Sequence, residues 1–420
     1  MRFIRLLGLV CCVAMIAVFA GPVSSGGVFL LWPPPTQRLD RRLPESSTPL
    51  HKGHVDLATG LYIREDEDLI VRTPVALTLR RTYLSNYHVS KSFGVGATHD
   101  GELYLIGDGI RFQYASLILA AGTRINFVRV SPGTSFWNAM YEHRESSGEW
   151  QGARLGWTGT DWALRRADGT LSVYKGCSDT DTCSILKTRD ADGYTIVYRR
   201  DSEGRVARME TGDTWIAFDY DRNNRIVRAY DSTSHQVRYE YDRQGRLSRV
   251  AGDDGTIRRY GYTPNDQMAT ILEPDTDIEN VYDAYGRCVR QINRFPNAPD
   301  ADPYVFDFTY RTEGATIVQT DSKESDGTWS SFTFRNGYVI AETTAPGGLQ
   351  PASFTYERDA TTNAVTGLTV TCPDRTGRPL RHSSVTRNGD EEWIKWDILH
   401  THCSWRRPAT QSTAPQTAAK

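Results

Sequence analysis

Methionine is scarce, with five residues in 420, and charge of either sign is not in excess: 49 Lys and Arg face 51 Asp and Glu, for a net charge of -2. A chain this balanced sets up no broad positive field, which argues against a nucleic-acid partner or an anionic lipid surface. Its seven cysteines include no Cys-x-x-Cys pair, so no zinc site is indicated. Gly-x-Ser-x-Gly, His-Glu-x-x-His, a phosphate-cradling P-loop and an EF-hand loop are all missing, and neither an enzyme nor a cofactor is expected. One apolar run stands out, Leu6 to Ala20, preceded by Arg2 and Arg5 and cut off by Gly21-Pro22. It is shorter than the roughly 20 residues that cross a bilayer. Small residues at Val18 and Ala20 make residues 1–20 a secretory signal peptide, cleaved before Gly21. The mature chain is expected to be secreted, periplasmic or at the cell surface, with no membrane span.

What the sequence does hold is ring and turn: 21 Tyr and 35 Gly, residues that favour strands and the turns between them. Residues 21–50 carry Pro33-Pro34-Pro35, Pro44 and Pro49 and read as an extended linker. From residue 51 to about 175, short apolar runs such as Leu61-Tyr62-Ile63, Val75 to Leu79 and Leu103 to Ile106 alternate with turns, the pattern of antiparallel strands. Tyr114 to Ala121 is short and uncapped and is open to a helical reading. Export makes disulfides readable. Cys177 and Cys183 flank Ser178 to Thr182 and are placed to staple one hairpin loop, while Cys288, Cys372 and Cys403 are odd in number and widely spaced.

Beyond residue 190 the sequence is periodic. Tyr198 leads to Asp201 and Gly204; Phe218 and Tyr220 lead to Asp221 and Asn224; Tyr239 and Tyr241 lead to Asp242 and Gly245. Tyr260 and Tyr262 precede Asp266, and Tyr282 leads to Asp283 and Gly286. The last position of each set recurs every 20 or 21 residues, the mark of an internal repeat. In aromatic-x-aromatic both rings lie on one strand face. The following Asp can accept backbone N–H bonds as an Asx turn, and three residues later a position with φ > 0 calls for Gly, or for Asn or Asp, which tolerate that region best. Arg205, Arg225, Arg246 and Arg287 follow and can pair with the turn Asp. Each unit is then a β-hairpin whose aromatic face needs its neighbours, in an all-β chain of antiparallel hairpin repeats. Looser copies follow at Phe306 to Tyr310, Phe332 to Phe334 and Phe354 to Tyr356.

These residues resemble the YD-repeat, or Rhs (rearrangement hotspot), family of secreted proteins. Tyr239 to Val250, Tyr-Glu-Tyr-Asp-Arg-Gln-Gly-Arg-Leu-Ser-Arg-Val, is close to an ideal copy of its repeat, and Val55 to Gly60, Glu65 to Asp68 and Leu77 to Tyr83 look like the domain that often precedes the repeats. The resemblance covers about 51 to 380. It implies a twisted sheet strip that winds spirally into a shell and serves as a carrier for toxins or as a surface recognition module. Long members carry an Asp-Pro-x-Gly motif for self-cleavage; here Asp302-Pro303 is followed by Tyr304, without that Gly, so self-cleavage and toxin activity are not expected. The expected division is an N-terminal β domain over 51–185, repeats over 186–380 and a C-terminal segment with a disordered tail over 381–420.

Other clusters read as structural. His400, His402 and Cys403 lack a second pair of ligands, His51 and His54 belong to a polar entry loop, and Asp179 with Asp181 make a weak calcium candidate. The run Glu65-Asp66-Glu67-Asp68 reads as an exposed strand edge that blocks edge-to-edge pairing. The favoured function is a non-catalytic Rhs-type scaffold in interbacterial competition or cell-surface interaction, partnered by a toxin or another Rhs-type chain. A second reading is a secreted carbohydrate- or protein-binding module that meets a surface glycan or protein, with Trp137, Trp150, Trp157, Trp162, Trp215 and Trp329 as a stacking platform. A third is a remnant of a longer Rhs chain.

Overall fold

The computed structural model describes residues 50–384, apart from 52–53, 73–75, 108–110, 146–148, 178–182 and 374–377, together with Lys395. The expected signal peptide over 1–20, nearly all of the expected 21–50 linker, Asp179, Asp181, His400, His402, Cys403 and the expected tail lie outside the described residues. No helix among the described residues is long and apolar enough to cross a membrane.

Twenty-five strands, from Tyr104–Gly107 to Pro379–Ser384, hydrogen-bond into one antiparallel sheet in which nearly every strand pairs with its neighbours in sequence. Tyr114–Ile118 is one of these strands and Ala120–Gly122 a 3-10 turn, so the segment open to a helical reading is extended. Ring-rich, these strands alternate inward and outward residues with period two. Ala115 and Leu117, Ile125 and Phe127, and Trp162 and Leu164 point inward and are buried.

The strip does not begin with a free edge. Cys183 and Ser184 pair with Leu105 and Tyr104, so the eight strands from Tyr104–Gly107 to Cys183–Arg189 close into a ring. Eight strands enclose a space that side chains alone can fill, and Phe127, Tyr141, Leu155, Trp162 and Tyr174 fill it. Strand Cys183–Arg189 then forks. Its first residues seal the ring, and Lys187 to Arg189 pair with Val197 to Thr195 to start the repeat strip. The expected boundary at 185/186 therefore falls inside one strand. The Cys177–Cys183 disulfide, with Cα atoms 4.8 Å apart, sits at this seam.

From Thr195–Arg200 onward the strip is a succession of hairpins. Register shifts within each hairpin recur at Arg199/Arg200, Asp219/Tyr220, Glu240/Tyr241, Gly261/Tyr262 and Val281/Tyr282, one β-bulge ahead of each turn. Among the described residues, strand Pro379–Ser384 pairs on one side, with Val365–Pro373. Asp302-Pro303 lies in an exposed loop before strand Tyr304–Glu313.

Residues 54–102 form separate small sheets, Ile63–Val71 with Leu77–Leu84 and Ala97–His99, and Ser90–Lys91 with Gly94–Val95. This segment lies along one face of the repeat strip and runs against the order of the repeats. Leu57 accepts a bond from Thr320, Gly60 from Cys288, Ser92 from Ile226 and Gly101 from Arg200. His51, expected in a polar entry loop, is instead packed between Phe306 and Phe308 at 5.0 Å from each ring. His54 lies against Tyr62, and burial lowers its pKa below the usual histidine value.

Because the disulfide closes a short loop at the seam of the ring, the double variant Cys177→Ser/Cys183→Ser is expected to lose about 2 kcal/mol of stability. Urea unfolding of the oxidised protein and the variant measures this; equal midpoints would show that the seam does not depend on the bond.

Candidate functional site: the repeat turns and the face they present

The turns take the form that the spacing demands. Asp242 Oδ1 accepts the backbone N–H groups of Gln244 and Arg246, both at 2.9 Å, while its Oδ2 accepts Arg246 Nε at 2.7 Å. Asp201, Asp221 and Asp283 repeat the arrangement with Arg205, Arg225 and Arg287. In the fourth unit Thr263 stands where the others have Asp, and its hydroxyl accepts from Asn265 and Gln267 at 3.3 and 3.2 Å. Gly204, Asn224, Gly245, Asp266 and Gly286 all have positive φ, between 62° and 85°. Asn224 and Asp266 do more than tolerate that backbone. Arg205 donates to Asn224 Oδ1 at 2.9 Å and Arg246 to Asp266 Oδ1 at 3.0 Å, so each polar replacement receives the arginine of the preceding turn.

The two rings of a unit have different tasks. The first, Tyr198, Phe218, Tyr239 or Tyr260, is buried. Phe218 meets His99 at 5.4 Å, Tyr239 meets Phe93 at 4.9 Å and Tyr260 lies under the Arg81 guanidinium, so these rings pack on the N-terminal segment as well as along the strip. The second ring reaches back one unit. Tyr220, Tyr241, Tyr262 and Tyr282 donate their hydroxyls to the carbonyls of Val206, Ile226, Leu247 and Met268, at 2.6 to 2.8 Å. The turn arginine of that earlier unit lies over the ring, Arg205 on Tyr220 at 4.5 Å, Arg225 on Tyr241 at 4.4 Å and Arg246 on Tyr262 at 4.9 Å. A hydrogen bond of about 1 kcal/mol thus joins each of these pairs of units, and a cation–π contact of about 0.5–1 kcal/mol adds to it in the first three.

The residue that accepts the tyrosine also offers its N–H to the N-terminal segment. Ile226 donates to Ser92 O at 2.7 Å, Met268 to Tyr83 Oη at 2.8 Å and Cys288 to Gly60 O at 2.8 Å. At Gly94 a side chain would run into the Gly245 carbonyl, to which Val95 donates, so glycine there permits backbone to lie on backbone.

Glu65-Asp66-Glu67-Asp68 departs from the exposed edge expected of it. The strand alternates: Glu65 and Glu67 face out, whereas Asp66 and the side chain of Asp68 are buried against the repeats. Arg81 bonds Asp68 and Asp66, each at 2.9 Å, and Arg64 holds Asp66 and Glu273. Arg258 adds contacts to Asp68 and Glu273, Tyr239 donates to Asp68 at 3.1 Å, and Arg81 Nη2 lies 3.1 Å from the Tyr260 hydroxyl. Three arginines balance three carboxylates across the boundary between N-terminal segment and repeats. Burial pushes the Asp66 carboxyl up, but the Arg81 and Arg64 guanidiniums outweigh it and hold it well below the usual carboxylate range. Period-two spacing places Arg64, Asp66 and Asp68 on one face; nothing in the sequence pairs them with Arg258 and Glu273.

Known proteins now bear on this arrangement. Residues 52–127 match the family model described as Domain of unknown function (DUF6531), and residues 220–257 match the model described as RHS Repeat. The chain carries an Rhs repeat preceded by that domain. Among solved structures it is similar to TcdB2-TccC3 without the hypervariable C-terminal region, with 11% identity and a TM-score of 0.35, covering 74% of this chain and 21% of that one. It is also similar to a Tc holotoxin pore of Photorhabdus luminescens, with 10% identity and a TM-score of 0.27, covering 77% of this chain and 24% of that one. The Rhs chain thus spans about a fifth to a quarter of the length of those chains. No curated protein matches it.

The tryptophans of this Rhs chain do not form one platform. Trp150 and Trp162 are buried, Trp137, Trp157 and Trp162 make a connected run with spacings of 6.2 and 5.1 Å, and Trp215 and Trp329 lie on other hairpins. Of the six, Trp137 and Trp329 are exposed.

Two outcomes follow from the turns and the ions. Gly245→Val is expected to cost more than about 1 kcal/mol, since a β-branched residue is strained at φ > 0, whereas Gly245→Asn should cost far less and place an acceptor near Arg225. Chemical unfolding of both variants checks this, and equal losses would refute the turn assignment. For the ions, the depressed Asp66 contributes stability that is complete above its ordinary value of 3.8 and is lost as pH falls below it. Unfolding midpoints between about pH 6 and pH 2 should therefore drop more steeply for the native protein than for Asp66→Asn. Parallel pH profiles would contradict the pairing.

Proposed function

We propose that this Rhs chain is an exported, non-catalytic structural scaffold that acts at the cell surface or in competition between bacteria, with a toxin-type or second Rhs-type chain as its partner. One observation carries the reading: the repeat strip and the N-terminal segment lock together through backbone bonds, buried ions and ring packing into one body. That is the construction of a rigid wall. The side chains that recur from repeat to repeat join units to one another, as the Asp–Arg–Tyr set does, and do not converge towards a reacting atom. Export is supported by the apolar run at Leu6 to Ala20 and by the Cys177–Cys183 bond, which suits an oxidising compartment.

Expression from the native reading frame, with N-terminal sequencing of the exported product, is expected to yield a chain beginning at Gly21, and co-expression with the products of the flanking genes to recover a toxin-type or Rhs-type chain as a stoichiometric complex. Retention of the full-length chain in the cytoplasm would contradict export. Failure of every flanking product to bind would contradict the carrier role.

A further inference from the structure

The inner rings of the repeats pack on the N-terminal segment, and the residues that alternate with them point the other way. From strand Thr195–Arg200 to strand Ile257–Tyr262 those outward residues include Arg199, Arg208, Arg228, Arg238, Arg249 and Arg259. The carboxylates on the same face of these strands are Glu210, Asp219 and Glu240. Glu210 takes Arg199 and Arg208 at 2.7 and 3.1 Å, Asp219 takes Arg228, and Glu240 takes Arg249. Arg238 and Arg259 are exposed and have no carboxylate partner among the described residues.

Register sets these arginines directly opposite one another in pairs, Arg199 with Arg208, Arg228 with Arg238 and Arg249 with Arg259. Like charges so placed destabilise a sheet. The repeat does not require them: further along the strip the positions of Arg249 and Arg259 are held by Thr270 and Glu279, then by Arg290 and Asp307. Two rings join the arginines on this face. Arg208 lies over Trp215 at 4.8 Å, Arg228 over Tyr230 at 4.5 Å, and the half-buried rings meet edge to face at 5.8 Å. One and two repeats on, Gln236 and Ile257 stand in the place of Trp215, and Ala251 and Leu272 in the place of Tyr230, so the ring pair is not part of the repeat either.

Tryptophan, tyrosine and arginine are the residues in which binding energy concentrates at protein interfaces. Excess positive charge fits an acidic partner. A bare polyanion would also meet Glu210, Asp219 and Glu240, whereas a polypeptide places its carboxylates singly and brings apolar side chains to Trp215 and Tyr230. The pairs Arg228–Arg238 and Arg249–Arg259 lie two strands apart, about 10 Å, the distance an extended chain covers in three residues.

We propose that the outer face of the first repeats, from Arg199 to Arg259, docks an acidic, extended segment of a protein partner, with Arg238 and Arg259 as its cations and Trp215 and Tyr230 as its apolar contact. This surface stands apart from the scaffold reading: it takes an acidic segment whichever chain carries one, and its test needs no flanking product.

The test uses the intact protein and a fluorescent four-repeat Glu-Ser-Leu peptide, followed by anisotropy, beside the matching Gln-Ser-Leu and Lys-Ser-Leu peptides, heparin, and equimolar phosphatidylglycerol–phosphatidylcholine vesicles. The acidic peptide is expected to saturate one site with a Kd below about 1 mM and to weaken as salt is raised, while the Gln and Lys peptides do not bind. Arg238→Gln/Arg259→Gln should weaken it about tenfold or more. The thermal unfolding midpoint of that variant should stay level or rise, since opposed like charges are removed, which separates loss of the surface from loss of the fold. Trp215→Ala should weaken the peptide as well, and Arg238→Glu/Arg259→Glu should transfer binding to the Lys-Ser-Leu peptide. The surface is misassigned if the acidic peptide fails to bind, whether or not heparin or the vesicles bind instead, or if Arg238→Gln/Arg259→Gln retains native affinity.

Discussion

In each of the first four units a carbonyl just past the turn waits for the tyrosine of the next, fourteen or fifteen residues on, and in the first three the turn arginine lies across that same ring. A two-stranded hairpin is marginal in water by itself. Sheet bonds join neighbouring strands, but they do not fix how one turn sits on the next. The tyrosine does. It needs the β-bulge before it to be aimed backwards, the Asp to form the turn that positions the arginine, and φ > 0 at the third residue to bring the chain round.

The same residue faces two ways, which is why the N-terminal segment belongs to the repeats and not beside them. Its carbonyl serves the next unit and, at Ile226, Met268 and Cys288, its N–H serves residues 60–92. The six ions around Arg81 act at the same boundary. Buried ion pairs often add little net stability, because desolvation offsets attraction, yet leaving one of them unpaired costs about 3–5 kcal/mol. Their effect is on register: a strand Ile63–Val71 shifted by one residue would turn Asp66 and Asp68 to solvent and bring Glu65 and Glu67 under the repeats, away from Arg81.

The repeat grammar was legible because it is local. Tyr239 to Val250 carries its own turn, its own positive-φ residue and its own rings, and period-two spacing alone assigns their faces. Closure of the first eight strands was not legible, since it rests on Leu105 meeting Cys183, nearly eighty residues apart, with no motif to announce it. The acidic run misled for a related reason. Four acids in a row look like an edge from their composition, but alternation sends two of them inward, and their partners Arg81 and Arg258 lie on two other strands.

Native-state hydrogen exchange at Ile226, Met268 and Cys288 tests the central claim most directly. Their amides donate out of the strip to the N-terminal segment, so if that segment and the repeats form one cooperative body, all three should exchange with the same opening free energy as the sheet amides of strand Leu247–Gly252. Much faster exchange at these three amides, with Leu247–Gly252 still protected, would show that the N-terminal segment opens independently and that the repeats stand without it.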